Sequence, residues 1–394
     1  MKTRRLRITR CLVILPILAC HTLLAQNAKI EHVANPVPTD DITWEIEFPK
    51  EMFPAIILSV GGSRTNSEQS GILCDPRSAF RIHVKSPIPT TKIHVEVRID
   101  GFSEPSPCDA VLQEANQPYI IAPTPRWDMR KLAFTDQPYP TTVTVNLTAN
   151  GISLGERTER LEIRAVNDAP TRIVDKDGKV GYRFRLFAAF VNENSPVIDE
   201  LLHEALEWRS VSSFVGYQGR TPESVRLQVF AIWNALQHRH VKYSSITTAS
   251  SFSENIQSQS VRFVDQTVRL SEANCVDGSV LFASALYKIG ILPVLTGPPG
   301  HMFLGYYLDP ESDGTVRDIE FLETTMIGNI DISNQLFDKK IEDSPSYKNF
   351  TAAVNKGDQE FRQNVLPGLR AQNPQYKFIS VRKARENGIN AIPR

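Results

Sequence analysis

The sequence predicts two halves of different class: an all-β half up to about residue 170, then a half mixing helices and strands. Three observations predict this. Through the first half, apolar and polar residues alternate with the period of half-buried strands. Past Pro170 the apolar spacing lengthens to that of helices, opened by Ser195-Pro196 and Thr221-Pro222. Inside the second half, Asn274 to Leu308 reads NCVDGSVLFASALYKIGILPVLTGPPGHMFLGYYL, a nearly continuous apolar stretch combining both patterns.

The 394 residues suffice for two domains, and shares of 41% hydrophobic and 22% charged are ordinary for a globular protein. Lys plus Arg number 44, as do Asp plus Glu, so the formal net charge is zero. That balance gives no basic field for nucleic acid and no acidic tail. Residues 1–25 have the form of an export signal: KTRRLRITR is basic, and Cys11 to Ala19 is an apolar core too short to span a bilayer. Cleavage after Ala25 would leave a soluble chain starting at Gln26. Alternatively, Ile17-Leu18-Ala19-Cys20 resembles a lipobox and would leave Cys20 as a lipid anchor. Either route predicts export, to the periplasm or the exterior, or to the outer membrane as a lipoprotein. No later stretch is long and apolar enough for a transmembrane helix.

Residues 26–170 are expected to form the first domain. TWEIEF, FRIHV, KIHVEVRI, TVTVNLTA and RLEIRAV each alternate, and PIPTT, SEPSP, PYPTT and ANGISLGE supply turns between them. Short strands at such spacing predict an immunoglobulin-like sandwich. His83 and His94 fall on the polar phase of their strands, a solvated face. Of five cysteines, processing would remove or lipidate Cys11 and Cys20. Cys74 and Cys108 are then expected to pair, leaving Cys275 as the odd thiol.

Val166 to Pro170 and the following DKDGK are expected to be a linker, with residues 171–394 the second domain. YRFRLFAAFV suits either a strand or a helix start. The apolar stripe Val225, Val229, Ile232, Trp233, Leu236 marks a packed helix ending in His238 and His240. That His-x-His lacks further recognisable ligands, so cationic side chains at a helix C-terminus explain it better than a metal does. The polar run SSITTASSFSENIQSQS is expected to be a loop flanking a cleft. A helix around Ser344 to Asn355 and a strand at Phe378 to Val381 complete the tail, in which nothing suggests catalysis.

The helix after Cys275 is apolar on nearly every side and ends at Gly290, as befits a central core helix. Cys275 therefore stands at a helix N-terminus, where the dipole and unpaired N–H groups favour a thiolate and a developing oxyanion. His301 follows the turn Pro298-Pro299-Gly300 and is expected to open a strand. Glu323 would end the strand RDIEFLETT. If these strands form an antiparallel hairpin, Glu323 comes beside His301, with Asp318 and Glu320 pointing elsewhere. A nucleophile, a base and an orienting carboxylate would then converge.

These residues resemble the transglutaminase-like superfamily, the papain-related thiol fold, in its bacterial exported form. The likeness rests on Asn-Cys-Val-Asp-Gly, Ile-Gly-Ile-Leu-Pro, Gly-His-Met-Phe-Leu-Gly-Tyr-Tyr-Leu and Leu-Glu-Thr-Thr, with Gln-Ser-Val-Arg-Phe upstream, and covers roughly Tyr182 to the C-terminus. It implies an α+β, cysteine-protease-like domain and acyl transfer through a thioester without a metal or other cofactor. Cys275 would be nucleophile, His301 base and then acid, Glu323 the group that orients the ring. Gln259 would donate to the oxyanion beside the Cys275 N–H. Two positions depart from the pattern: Glu323 where Asp is commoner, and Gly278 where an apolar residue is commoner. The expected partner is a protein or peptide substrate, and the product is a cleaved amide or an amine cross-link. The competing reading is a non-catalytic exported module that binds protein or glycan. A buried thiol would favour that reading, an accessible one chemistry.

Overall fold

Strict alternation builds the first half of the structure, a computed structural model that describes residues 41–60, 71–245, 251–253, 255–328, 330, 332 and 340–393. Thr43–Glu47 pairs antiparallel with Arg81–Lys85, setting Trp44 opposite Val84 and Ile46 opposite Ile82. Pro118–Ala122 and then Ile72–Cys74 extend this sheet. A second sheet runs Glu51–Met52, Ile152–Ile163, Tyr139–Ala149, Thr91–Ile99, Ser106–Leu112. Along Thr91–Ile99, Thr91, Ile93, Val95, Val97 and Ile99 are buried, because a period of two puts them on one face. Trp44, Ile82 and Ile121 from one sheet meet Val95, Val143, Val145 and Leu161 from the other in a single core. Each fully buried side chain of this size contributes roughly 1.5–3 kcal/mol. A disulfide between Cys74 and Cys108, Cα atoms 6.5 Å apart, ties the edge strand of one sheet to the edge strand of the other. His83 and His94 are half-buried and bond Glu47 and Asp109, each at 2.8 Å. The expected export signal, with Ala25 and Cys20, lies outside the described residues.

Of the stretch expected to be a linker, Asp168 to Pro170 open a strand with their side chains buried, and DKDGK is the exposed turn that follows that strand. Asp168–Val174 pairs with Val180–Tyr182 on one side and Ile256–Ser260 on the other. Pro170, which cannot donate to a ladder, sits where the register shifts between Pro170 and Arg172. Asp168 is 2% exposed and accepts from the Arg164 guanidinium at 2.9 Å. Its strand partner lies some 90 residues downstream, so no local pattern could announce it. Within the compact unit Asp40–Arg394 the buried apolar side chains form two large clusters, with Leu58 packed against both and Ala55, Val166 and Ala169 joining that of the second half. Part of the polar run that follows His240 is also sheet, Ile256–Ser260 with Ser251–Phe252; residues 246–250 of that run are not described. Phe184–Phe190 is a 3-10 helix.

Pro196–Glu207, Pro222–His238 and Val264–Leu270 pack around the central helix Cys275–Lys288. Val280, Leu281, Phe282, Ala283, Ala285 and Leu286 of that helix are all buried. Asn274 caps it, accepting from the Val276 N–H at 2.8 Å and the Asp277 N–H at 2.9 Å, and Gly290 at φ 79° ends it. An antiparallel sheet in the order Ile319–Leu322, Phe303–Tyr307, Pro293–Gly297, Lys377–Ser380 lies against it. Leu295, Leu304, Tyr306 and Leu322 face the shared core, while Phe303 and Phe321 pack with Phe361 and Val365 behind the sheet. The tail helix Pro345–Glu360 is longer than expected and runs through a π-turn at Phe361–Val365 into Leu366–Arg370. The second half is thus mixed α and β. Among the described residues no helix is long and apolar enough to cross a membrane.

Candidate active site

Cys275 is the first residue of the central helix, half-buried and unpaired with another cysteine. His301 is not the first residue of a strand, as expected, but lies two residues before Phe303–Tyr307. The reason is local. A Cβ on Gly297 would lie 2.2 Å from the His301 carbonyl, so the chain doubles back too tightly for pairing to begin before Phe303. Glu323 likewise falls just past Ile319–Leu322 and opens the short 3-10 turn Thr324–Met326, accepting from the Thr325 N–H at 3.1 Å. Because Leu304 pairs antiparallel with Leu322, the two loop ends meet, and His301 Nε2 lies 2.8 Å from Glu323 Oε2. Glu320 is turned away onto Arg226 and Tyr306, and Asp318 onto Ser312.

The ring of His301 also hydrogen-bonds the Cys275 side chain. Since Nε2 faces Glu323, that bond belongs to the Nδ1 side of the ring. Burial alone would lower the pKa of His301; the hydrogen bonds to Cys275 and Glu323 outweigh it and lift the ring to about 10. Glu323 is 4% exposed, which raises its carboxyl, yet the bond from His301 leaves it below the ordinary value. Imidazolium and carboxylate are therefore the resting forms at neutral pH.

A further buried carboxylate holds the nucleophile's turn in place. Asp277 accepts from the Arg262 N–H at 2.8 Å and the Asn274 N–H at 3.2 Å, closing a capping box and tying the segment after Ile256–Ser260 to the helix start. Burial pushes its pKa up to about 6, against those two bonds. Gly278 has a packing role: a Cβ there would stand 3.3 Å from Thr324 Oγ1, so the Glu323 turn rests directly on the helix.

Cys275 and His301 open into a cleft of about 640 Å³. Gln257 and Gln259 both line its wall on one strand, and the Gln259 Nε2 donates to the Ser260 carbonyl at 3.2 Å. Two lining residues escaped the sequence reading. Arg172 comes from the supposed linker. Lys377 comes from the tail, where nothing was expected to matter; it is 5% exposed, with Nζ bonded to the Pro298 carbonyl and 4.9 Å from the centre of the Phe184 ring. Burial drops the Lys377 pKa to about 8, even though the charge of Cys275 pulls the other way. A lysine ahead of a short apolar strand carries no signal of this in sequence.

The pair His238 and His240 needs correcting. His238 stacks on Trp208 with ring centres 3.4 Å apart and planes 9° apart, and burial takes its pKa down to about 4. It is neutral at physiological pH and packs as an aromatic, so it adds no cation to the helix end. Among the described residues no group of three or more His, Cys, Asp or Glu is placed to hold a metal. Compared with family models and with curated proteins, the chain matches none.

Proposed function

We propose that this chain is an exported thiol-dependent acyl-transfer enzyme acting on amides, built on a transglutaminase-like α+β fold beside an immunoglobulin-like sandwich. The observation that carries this is the unbroken run of hydrogen bonds from Cys275 through His301 to Glu323 at the mouth of a cleft. The Cys275 sulfur attacks the amide carbonyl, forming a C–S bond and placing charge on the carbonyl oxygen. The Cys275 N–H is not one of the amides engaged by the Asn274 cap, which leaves it to stabilise that oxygen. His301 delivers its proton to the leaving nitrogen, the C–N bond breaks, and a thioester remains. Water or an amine then attacks the thioester, giving up its proton to His301 as sulfur leaves. Glu323 keeps the ring aligned throughout and supports its charge whenever the proton is on it. Hydrolysis gives a peptidase or amidase; attack by an amine gives a cross-link.

Labelling with a peptidyl chloromethyl ketone, followed by peptide mapping, tests the proposal. Covalent modification at Cys275 is expected in the wild-type chain, and its loss in His301→Ala. Labelling no faster than that of free cysteine, or unaffected by His301→Ala, would leave the chain a binding module.

A further inference from the structure

The cleft is lopsided in charge. Among the described residues that line it, none is Asp or Glu, whereas Arg172 and Lys377 face in from opposite sources, the junction strand and the tail strand. Glu323, the carboxylate of the site, stands behind His301 and is committed to it. Lys377 is the more telling of the two. A buried ammonium normally holds a carboxylate. Here it rests on one backbone carbonyl and on the face of Phe184, with no carboxylate among the described residues that line the cleft. One carbonyl uses one of its three N–H donors. Tyr182, Phe184 and Phe187 form a stack beside it, with ring centres 5.5 and 6.3 Å apart, which gives an extended peptide an apolar floor.

We propose that Lys377 and Arg172 form an anion subsite, and that the substrate is an acidic peptide whose carboxylate lies close to the reacting amide. This deepens the acyl-transfer reading and rests on it for the reaction, though not for the binding. The carboxylate replaces the missing counter-ion of Lys377 and gains a charge-assisted bond in a sheltered site. Arg172, half-exposed at the rim, steers the anion in and holds its outer side.

The test uses the full chain with Cys275→Ala, which binds without turnover, and two probes: an acetylated aspartyl tripeptide amide and its asparaginyl counterpart. Calorimetric titration at pH 7 is expected to show the aspartyl peptide at least tenfold tighter, with the preference falling as salt rises. Adding Lys377→Met should cut that preference at least fivefold. Adding Arg172→Gln, a change at a half-exposed position outside the core, should cut it two- to threefold and flatten the salt dependence. Equal affinity for the two peptides, or a preference surviving both substitutions, overturns the subsite. Labelling of Cys275 with no acidic preference would sink only this inference. An acidic preference with an unreactive Cys275 would sink the acyl-transfer reading and leave the subsite standing.

Discussion

In the β half, the buried polar side chains are mostly hydroxyls with partners nearby, and the buried ions there, Arg164 and Asp168, are paired with each other at the junction strand. Ser78 donates to the Pro123 carbonyl, Ser86 and Thr91 pair at 2.7 Å, and Ser106 donates to the Glu104 carbonyl at 2.7 Å. In the second half, the buried groups include Asp277, Glu323 and Lys377, all of them ionisable and all within or beside one cleft. Burying an ion costs several kcal/mol, where a bonded hydroxyl costs little. A fold that needed only stability would have no use for this second arrangement. The contrast teaches that the two cores are under different demands, and it can be broken at several points.

The largest effect is expected from the thiol and its base. Cys275→Ala and His301→Ala should each lower turnover of an amide substrate on the order of 10⁴-fold, as loss of a nucleophile or base does. The urea midpoint of Cys275→Ala should stay where it is, because that side chain anchors no core, while His301→Ala, which strips the buried Glu323 of its partner, should lower it. A large midpoint shift in both variants would make these residues structural.

Next comes the staple of the β half. The disulfide closes a loop with sequence separation 34, for which chain entropy gives roughly 4 kcal/mol. Cys108→Ala should speed amide exchange in Thr91–Ile99 while Val280–Leu286 keeps its protection, and labelling of Cys275 should be unaffected. Uniform loss of protection would mean that the two cores unfold as one.

Lys377 sharpens the contrast from the other side. Its folded pKa, about 8, lies below the ordinary 10.5, so the folded chain binds the proton less tightly than the unfolded chain. Stability therefore rises with pH between about 8 and 10.5, and the charged form costs about 3 kcal/mol below that window. Lys377→Met is expected to be more stable than wild type at pH 7, with the gain fading by pH 10.5; urea titrations at the two pH values measure it. A variant less stable at pH 7 would show that the lysine supports the fold.

Smaller again is the effect of Glu323→Gln, expected at roughly ten- to a hundredfold in turnover, since the ring loses orientation and charge support but not its place. In wild type, kcat/KM should fall as pH rises through about 10, where His301 gives up its proton. Without the carboxylate that limb should move down toward the ordinary imidazole value. An unmoved limb would assign it to another group.

Much of this was legible from local pattern. Alternation located the strands, Thr221-Pro222 and Ser195-Pro196 located helix starts, and the ends of a hairpin brought His301 to Glu323. What was not legible depends on distant pairing. The strand at Asp168 is fixed by partners near Ser258, the stacking of His238 needs Trp208 from another helix, and Lys377 acquires its environment from Pro298 and Phe184. Period and turn chemistry are local signals, so they find elements and not the company that elements keep.

Gly278 tests that limit at the smallest scale. As a residue within a helix it looks like a defect, since alanine there is favoured by up to about 1 kcal/mol. Its space is nonetheless claimed, because a new Cβ would stand 3.3 Å from Thr324 Oγ1, closer than ordinary contact, and 3.4 Å from its Cβ, at the near edge of it. Thr324 cannot yield alone: it belongs to the turn whose first hydrogen bonds are made by Glu323. Gly278→Ala should therefore leave the urea midpoint nearly unchanged, with propensity gained and packing lost. Turnover should fall severalfold, as Glu323 is carried away from His301, and chloromethyl ketone labelling of Cys275 should slow in step. Stability raised by the full propensity term with turnover intact would show that the turn is free to shift, and that glycine is not what seats Glu323.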